Sequence, residues 1–335
     1  MNVGVIGAGS WGIALSVLLD KNESKVTVWS KFEEEVKMLS EKREYEDKLP
    51  GVKIPETVDF TTDLEAAVKN NEVLVMAVPS TFVRETAHLM KEFVRPGQII
   101  VNVAKGIEEN TLMTLSDIIE EEIPQAKVAV MCGPTHAEEV GRGIPTTIVV
   151  GAREQSTAKL VQDLFMNESF RVYISPDVLG MEIGSSLKNV VALAAGIADG
   201  LGYGDNTKAA LITRGMAEIS RLGKAMGGRP ETFYGLSGVG DLIVTCASMH
   251  SRNRRAGILI GQGKTLKEAQ DEIKMVIEGA NCAKAALELS KKYGVSMPIV
   301  EEVNKILFEN KAATDVVNEL MLRDARIEIK AAEWQ

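Results

Sequence analysis

The fold of this chain depends on the stretch NVGVIGAGSWG at residues 2–12. Its first five residues form a short apolar run typical of a buried strand, and the next six match the pattern GxGxxG. In that pattern Gly7 permits a tight turn, Gly9 lets the backbone approach a pyrophosphate, and Gly12 lets a following helix pack closely against the strand. Because a helical pattern begins at about residue 10, the stretch predicts a dinucleotide-binding strand–turn–helix unit.

Short apolar runs and helical patterns alternate through the first half of the chain. Further strands are predicted at 25–29, 73–78, 98–103, 127–131, 146–150 and 170–174. Helices are predicted at about 10–20, 33–42, 63–70, 80–93, 111–122 and 154–166. Runs this short, β-branched and continuously apolar are typical of parallel strands covered on both faces. The pattern therefore predicts an α/β fold with an N-terminal doubly wound, Rossmann-type sheet.

Only helical patterns follow residue 178. They lie at 178–199, 207–227, 230–247, 252–262, 266–275, 280–293, 298–308 and 312–322. We therefore predict a dinucleotide-binding domain at 1–178 and an all-helical substrate and catalytic domain at 179–335. No linker rich in proline or serine separates them, so the helix after Pro176 is expected to lead directly from one domain into the other.

Length and composition are those of an ordinary globular protein. The chain has 335 residues, of which 45% are hydrophobic and 25% are charged, and this excludes a disordered chain. Its net charge of −9 argues against a nucleic-acid partner, because such binding relies on a basic surface. A bound anion therefore needs a local group of donors.

The cysteines and the apolar runs bear on the compartment. Cys132, Cys246 and Cys282 are far apart and form no CxxC pair, so neither a disulfide framework nor a metal site is predicted. No apolar run approaches the roughly 20 residues of a membrane span, and no basic segment precedes the first strand. These features favour a cytoplasmic protein that contacts no membrane.

One lysine stands out in the first helix of the second domain. Lys188 is the only charged residue between Ile183 and Ala198, and its neighbours at helical spacing are uncharged. Surface lysines usually lie among polar residues, so we expect Lys188 to be buried or to line a cleft. Burial lowers the pKa of an ammonium and suits it to pass a proton to a carbonyl during hydride transfer. A buried structural ion pair is the alternative.

A dense cluster of cations occurs near residue 250 of this acidic chain. In the segment SRNRR at 251–255, Ser251, Arg252 and Asn253 stand at a predicted helix start and are donors suited to phosphate. Upstream, Asp241 follows a glycine turn and is placed to accept substrate hydroxyls or to position the lysine. The alternatives are a solvated charge run for the arginines and a helix cap for Asp241.

Two further segments follow predicted strands at their carboxyl ends, where α/β proteins bind ligands. Lys105 follows the strand at 98–103, while Gly133 and Thr135 follow the strand at 127–131. Thr135 is also placed to cap the next helix. Ordinary connections without a ligand are the alternative for both segments.

The end of the strand at 25–29 bears on the choice of cofactor. A ribose with a free 2′-hydroxyl is usually bound by an acid about 20 residues after the Gly-rich turn. Here Ser30 and Lys31 come first, and acids begin only at Glu33. A hydroxyl and a cation suit a 2′-phosphate, so the sequence favours NADP and leaves NAD open. An ordinary surface lysine is the alternative for Lys31.

Together these segments resemble the bacterial-type NAD(P)-dependent glycerol-3-phosphate dehydrogenase family over nearly the whole chain. The segments are GAGSWG at 7–12, AKG at 104–106, GPT at 133–135, SSLKNVVALAAGIADGLGYGDNTKAALITRG at 185–215, GLSGVGDLIVTC at 235–246 and SRNRR at 251–255. The resemblance implies interconversion of dihydroxyacetone phosphate and sn-glycerol 3-phosphate, which in bacteria supplies the glycerophospholipid backbone.

The resemblance also implies roles for individual residues, with Lys188 as the proton donor and acceptor. The implied substrate contacts are Lys105, Gly133, Thr135, Lys188, Asp241, Ser251, Arg252 and Asn253. The cofactor contacts, with the turn glycines included, are Gly7, Gly9, Ser10, Trp11, Gly12, Lys31, Lys105, Ala137, Arg252, Val276 and Glu278. The chain departs from the family pattern at Ile13, where Thr is common, at His136, where Phe or Ser is usual, and at 280–283.

Two other functions remain open from the residues alone. A dinucleotide sensor would keep the glycine turn without the chemistry, although it would have no need of a desolvated lysine. A β-hydroxyacid dehydrogenase also combines such a turn with a lysine on a helical second domain. For either dehydrogenase the expected partner is a small-molecule substrate, which is phosphorylated for a glycerol-3-phosphate dehydrogenase. A homodimer is left open.

Overall fold

A computed structural model describes residues 1–324 of the protein. Within that range the chain forms ten strands, which are β1 Asn2–Ile6, β2 Lys25–Trp29, β3 Glu44–Tyr45, β4 Leu49–Lys53, β5 Asp59–Thr61, β6 Val73–Met76, β7 Ile99–Asn102, β8 Lys127–Cys132, β9 Thr146–Ala152 and β10 Phe170–Ser175. Eight strands form one sheet in the order β10-β9-β8-β7-β6-β1-β2-β5, and β3 and β4 form a separate antiparallel ribbon.

Helices lie between the strands and continue beyond them. The helices that accompany the strands are α1 Ser10–Lys21, α2 Glu33–Lys42, α3 Leu64–Lys69, α4 Val83–Met90, α5 Leu115–Glu122, α6 Ala137–Gly141 and α7 Gln155–Phe165. Those that follow the last strand are α8 Val178–Gly200, α9 Asp205–Ala225, α10 Pro230–Phe233, α11 Asp241–Ala247, α12 Arg252–Gly261, α13 Leu266–Ile273, α14 Glu278–Tyr293, α15 Pro298–Phe308 and α16 Ala313–Met321.

The predicted fold class is confirmed: a Rossmann-type sheet precedes an all-helical part. All seven predicted strands are present, and β1 lies parallel between β2 and β6. The carboxyl ends of β1, β6, β7 and β8 therefore meet at one edge of the sheet, where α/β folds bind ligands. The predicted domain limits at residue 178 coincide with the start of α8 but stay a prediction.

The sheet differs from the expected parallel pattern at one position. β9 runs antiparallel to β8, with Met131 opposite Val150. The segment between these strands holds only the five-residue helix α6, whereas a parallel crossover usually carries a longer helix across the face of the sheet. The chain therefore turns back beside β8, and β10 then adds parallel to β9.

Two local predictions were wrong. The segment 44–61 holds three short strands that the sequence did not indicate, because their charged and proline residues hide the apolar pattern. The helix predicted at 230–247 is broken into α10, a π-helical turn at Leu236–Gly240 and α11. Glycines in the turn explain the break, since they weaken a regular helix and permit the wider i→i+5 turn of a π-helix.

Helix α8 is the centre of the helical part. Most of its residues are buried, and its apolar side chains belong to a cluster that includes Leu187, Leu193, Ile219 and Phe233. In the described part of the chain α8 is also the one helix long and apolar enough to cross a membrane, contrary to the expectation of no such run. Most of that apolar length is buried inside the protein, as in the core helix of a globular domain.

Polar contacts anchor the start of α8 to both halves of the molecule. Asp177 caps the helix by accepting a hydrogen bond from the backbone N–H of Gly180. One turn further on, the buried carboxylate of Glu182 accepts hydrogen bonds from the N–H and hydroxyl of Ser116, at the start of α5. Burial raises the pKa of Glu182 to about 7, although the Ser116 hydrogen bonds act against that rise. These contacts set where α8 lies relative to the sheet.

Close helix packing brings the start of α12 beside the middle of α8. An added Cβ on Gly196 would lie 2.1 Å from the carbonyl oxygen of Arg254, and one on Gly257 would lie 2.2 Å from that of Leu193. Any larger side chain at these two positions would push the helices apart. The glycines therefore hold the segment SRNRR within reach of Lys188.

Candidate active site

The glycine turn after β1 has the geometry of an anion-binding site. Gly7 has a φ of +121°, which favours glycine, and an added Cβ on Gly12 would lie 2.1 Å from the carbonyl oxygen of Gly7. An added Cβ on Gly9 would meet no atom within 4 Å, so its outer side is open. Helix α1 begins there without a side-chain cap, and its first-turn N–H groups are therefore free to bind a pyrophosphate. Ser10 and Trp11 stand half-buried in that turn.

In the folded chain a carboxylate lies against the end of β2, although five residues separate it from that end in the sequence. The buried hydroxyl of Ser30 donates to the carboxylate of Glu35, which also accepts from Tyr45 at 2.6 Å and Lys48 at 2.9 Å. Burial raises the pKa of Glu35, but these three hydrogen bonds together lower it below its ordinary value. Ser30 is therefore already engaged. Lys31 is mostly exposed and pairs with Glu85 at 3.3 Å.

Lys188 is buried, as its sequence surroundings predict, and only 5% of the residue is exposed. Its Nζ donates to Oδ1 of Asp241 at 2.5 Å and to the hydroxyl of Thr245 at 2.6 Å. Asp241 and Thr245 lie one turn apart on α11, so both face the lysine. The helix cap considered for Asp241 is wrong, because its carboxylate binds lysine rather than the helix end.

A second lysine reaches the same carboxylate from the edge of the sheet. Lys105, just after β7, donates to Oδ2 of Asp241 at 2.7 Å and to the carbonyl oxygen of Gly133 at 3.1 Å. The hydroxyl of Thr135 donates to that carbonyl as well, at 3.1 Å, instead of capping α6 as the sequence suggested. Two ammonium groups thus share one carboxylate, and the cluster keeps one net positive charge.

The electrostatics of this cluster suit proton transfer. Burial lowers the pKa of Lys188 to about 8; the carboxylate of Asp241 acts in the opposite direction, and the charge of Lys105 lowers it further. An ammonium with a pKa near 8 is a stronger acid than an ordinary lysine and is still largely protonated at neutral pH. General acids work best when their pKa lies near the operating pH.

The segment SRNRR begins α12 as predicted and lies next to α8. Ser251 is the N-cap, accepting from the N–H of Arg254 at 3.2 Å. Asn253 donates to the side chain of Asn189 at 3.0 Å and accepts from the N–H of Gly279 at 2.8 Å. Asn189 adjoins Lys188 in sequence, so this pair ties the cation cluster to the helix that carries the lysine.

Glu278 connects the helical part to the sheet. Its carboxylate, at the start of α14, accepts from the hydroxyl of Ser80 at 2.5 Å and from the Ser80 N–H at 3.4 Å. Ser80 follows β6 at the same sheet edge as Lys105. Burial raises the pKa of Glu278, and Arg252 acts against that rise, which places this half-buried arginine within electrostatic range.

The structure thus brings most of the predicted site residues to one cleft between sheet and helices. Val276 lies half-buried just before Glu278, and Ala137 is buried at the start of α6. Lys31 lies just after the carboxyl end of β2 and pairs with Glu85 on α4. The sequence missed Ser80 and Thr245, since a hydroxyl after a strand or on a short helix carries no local signal of its partner. The roles of the predicted site residues in binding and catalysis stay predictions.

A dinucleotide fits the glycine turn, because the open side of Gly9 and the uncapped start of α1 face the same point. The buried lysine lies on α8, a helix of the second half. Fold and site together define a two-domain, nicotinamide-dependent dehydrogenase.

Comparison with known proteins narrows this class. The model described as NAD-dependent glycerol-3-phosphate dehydrogenase N-terminus matches residues 2–158, and the corresponding C-terminus model matches residues 177–318. A protein named glycerol-3-phosphate dehydrogenase [NAD(P)+] from Agathobacter rectalis is 67% identical over 99% of both chains. A protein of the same name from Fusobacterium nucleatum is 59% identical over 99% of both chains. The crystal structure of glycerol-3-phosphate dehydrogenase from Coxiella burnetii superposes with a TM-score of 0.93 at 35% identity, covering 96% of this chain and 99% of that one.

The chain belongs to the NAD-dependent glycerol-3-phosphate dehydrogenase family.

Proposed function

We propose that the protein interconverts dihydroxyacetone phosphate and sn-glycerol 3-phosphate, with NAD or NADP as the cofactor. The observation that carries this proposal is the buried cluster in which Lys188 and Lys105 share the carboxylate of Asp241. Its net positive charge suits an anionic substrate, and its acidic lysine suits the reduction of a carbonyl. The names of the relatives, which include both the reaction and NAD(P)+, support the same conclusion.

The mechanism requires the chain to supply a proton and to hold the substrate in place. When bound, the reduced nicotinamide supplies the hydride. We infer that in the reductive direction Nζ of Lys188 donates its proton to the ketone oxygen. Asp241 and Thr245 then hold Nζ in position, and Lys105 adds positive charge beside the developing alkoxide. In the oxidative direction the neutral amine of Lys188 accepts the hydroxyl proton.

The substrate phosphate needs its own donors. We infer that Arg252, Ser251 and Asn253 bind it at the start of α12, with Arg252 bridging towards the cofactor. Gly133 and Thr135 then border the three-carbon chain from the sheet side. A phosphate dianion held by a guanidinium makes charge-assisted hydrogen bonds, which are stronger than neutral ones.

The product is the backbone from which glycerophospholipids are built, so we propose that the protein serves phospholipid synthesis in the cytoplasm. Homodimer formation and the absence of a membrane or nucleic-acid partner stay predictions.

The proposed function is tested by oxidation of NADPH and NADH with a panel of carbonyl substrates. We expect turnover with dihydroxyacetone phosphate and little with 2-oxo acids or 3-oxo acids, because the donors at the start of α12 suit a phosphate dianion, which offers more charge and more acceptor oxygens than a carboxylate. Faster turnover of a carboxylated substrate would instead support a β-hydroxyacid dehydrogenase. Binding of the dinucleotide without any turnover would support a sensor.

Removing the charge of Asp241 should shift the pH dependence of kcat for reduction to lower pH. The carboxylate raises the pKa of Lys188 against the effect of burial, so Asp241→Asn should lower that pKa further. Reduction uses the ammonium form of Lys188, so the rate of reduction is highest below this pKa and falls as the pH rises through it. In the variant we expect that loss at a lower pH, measured as kcat against pH. The charge-removing control Asp271→Asn, at an exposed position, should leave the profile in place; an unmoved profile in Asp241→Asn would contradict the assignment.

Lys31 should influence the choice between NADPH and NADH. Because Ser30 is already bound to Glu35, the exposed ammonium of Lys31 is the group we expect to contact a 2′-phosphate. Solvent screening limits its contribution, so we expect about a 5- to 30-fold preference for NADPH in the wild type. Lys31→Glu should depress kcat/KM for NADPH and spare NADH, whereas Lys37→Glu, an exposed lysine on α2, serves as the control. A strong wild-type preference for NADH, or an unchanged ratio in Lys31→Glu, would make Lys31 a plain surface lysine.

A further inference from the structure

His136 lies between the sheet edge and α11 without a role so far. It stands between Thr135 and Ala137, at the carboxyl end of β8. Its imidazole lies near the backbone of Val244 on α11, the helix that presents Asp241 and Thr245 to Lys188. The ring of His250, just before the segment SRNRR, lies 5.8 Å away between ring centroids. His136 therefore lies near the charged groups of the site, since the charges of Lys188 and Lys105 both act on its ring.

One nitrogen of this imidazole has no partner. Nε2 of His136 is buried and makes no hydrogen bond within residues 1–324. Leaving a buried polar atom unpaired is costly, so such an atom in a cleft indicates a place where a ligand completes the bonding. Ser186 also has an unpartnered hydroxyl, but it is two residues from Lys188 on α8 and so faces away from it.

The unpartnered nitrogen can serve as an acceptor. It makes no hydrogen bond within the described residues, and a neutral imidazole carries a lone pair on one of its two ring nitrogens. Burial lowers the pKa of His136, and the charge of Lys188 lowers it further, so the neutral ring is favoured. A neutral ring with its proton on Nδ1 carries a lone pair on Nε2.

The three-carbon substrate has one group for which the site has no other assigned acceptor. Its phosphate is assigned to the start of α12 and its ketone oxygen to Lys188. Its primary hydroxyl still needs an acceptor, and the buried Nε2 of His136 is one that no group within residues 1–324 occupies. We propose that Nε2 of His136 accepts a hydrogen bond from this primary hydroxyl, so His136 is a specificity-determining residue. The inference rests on the function proposed above.

Acetol phosphate provides the test, because it carries a methyl group where dihydroxyacetone phosphate has the hydroxymethyl group. The quantity measured is the ratio of kcat/KM for dihydroxyacetone phosphate to that for acetol phosphate. In His136→Phe and His136→Leu, which lack an acceptor, we expect the ratio to fall about 10-fold, the effect of one lost hydrogen bond of ordinary strength. His136→Gln, whose amide oxygen reaches about as far as Nε2, should keep most of the wild-type ratio.

The outcomes separate this inference from the proposed function. A wild type that reduces neither substrate would overturn the proposed function and the inference with it, before any variant is made. A wild type that turns over dihydroxyacetone phosphate, with ratios in His136→Phe and His136→Leu within about twofold of wild type, would overturn the inference alone. Should the phenylalanine variant fail to fold, the leucine and glutamine variants decide the question. His250→Gln, at the exposed neighbouring histidine, should leave the ratio unchanged.

Discussion

Replacing Lys188 by alanine should lower kcat by at least about 100-fold, the lower end of the loss expected when a general acid is removed. The ammonium is buried, is held by Asp241 and Thr245, and has its pKa lowered to about 8, so bulk water would replace it poorly. The affinity for the dinucleotide should change little, because the glycine turn that binds it belongs to the first domain, at the start of α1. Steady-state kinetics and a direct titration with NADPH measure the two effects separately.

A matched control distinguishes chemistry from packing. Lys305, on α15, is half-buried and pairs with Glu302 at 2.6 Å, in a helix that carries no predicted site residue. Lys305→Ala should therefore affect stability but leave kcat close to the wild-type value. If Lys188→Ala kept more than about half of the wild-type kcat, Lys188 would be one half of a structural ion pair and the proton would have to come from another group.

Arg252→Ala should raise the KM for dihydroxyacetone phosphate by about 10- to 150-fold, which corresponds to the roughly 1.5–3 kcal/mol of a charge-assisted contact. An acidic protein needs a local cation to hold a dianion, and Arg252 stands at the start of α12 beside the bonded pair Asn189 and Asn253. Unphosphorylated dihydroxyacetone, however slow, should be affected far less. Comparing KM for the two substrates in the variant and in the wild type measures the phosphate contact directly.

The neighbouring arginine provides the control. Arg255 lies on the same first turn of α12 but is exposed, and Arg255→Ala should leave both KM values near wild type. Equal losses for the phosphorylated and unphosphorylated substrates in Arg252→Ala would argue against a phosphate contact. In that case Arg252 would act mainly through its charge on Glu278, and its removal would change the contact between the helical part and the sheet.

Features set by neighbours along the chain were predicted well. The apolar runs became strands because neighbours such as Val5 and Ile6, which point to opposite faces of a parallel sheet, are both buried, and this leaves a continuous signal. The spacing of Gly7, Gly9 and Gly12 predicted a turn whose conformation only glycine adopts readily. Lys188 could be singled out because a long, buried helix leaves no other charge near it.

Features set by contacts between residues far apart in the sequence were not predicted. Thr135 has the residue type of a helix cap, yet its hydroxyl is taken by the Gly133 carbonyl at the crowded end of β8. Ser30 appeared available to a 2′-phosphate, but the carboxylate of Glu35, on α2, accepts a hydrogen bond from its hydroxyl. The chain reversal that makes β9 antiparallel depends on how α6 packs, and five residues carry too little pattern to show it.

The sequence by itself determined the class of fold, the glycine turn that receives a dinucleotide and the isolated lysine, since each depends on residue type and spacing over a few turns of chain. Only the tertiary structure decided which groups act on that lysine. Asp241 lies 53 residues beyond Lys188, and Lys105 reaches the same carboxylate from the sheet. Such pairings arise when α8 and α11 pack on the carboxyl ends of β7 and β8. The pKa of Lys188 follows from them, because burial and distance between charges are properties of the folded chain.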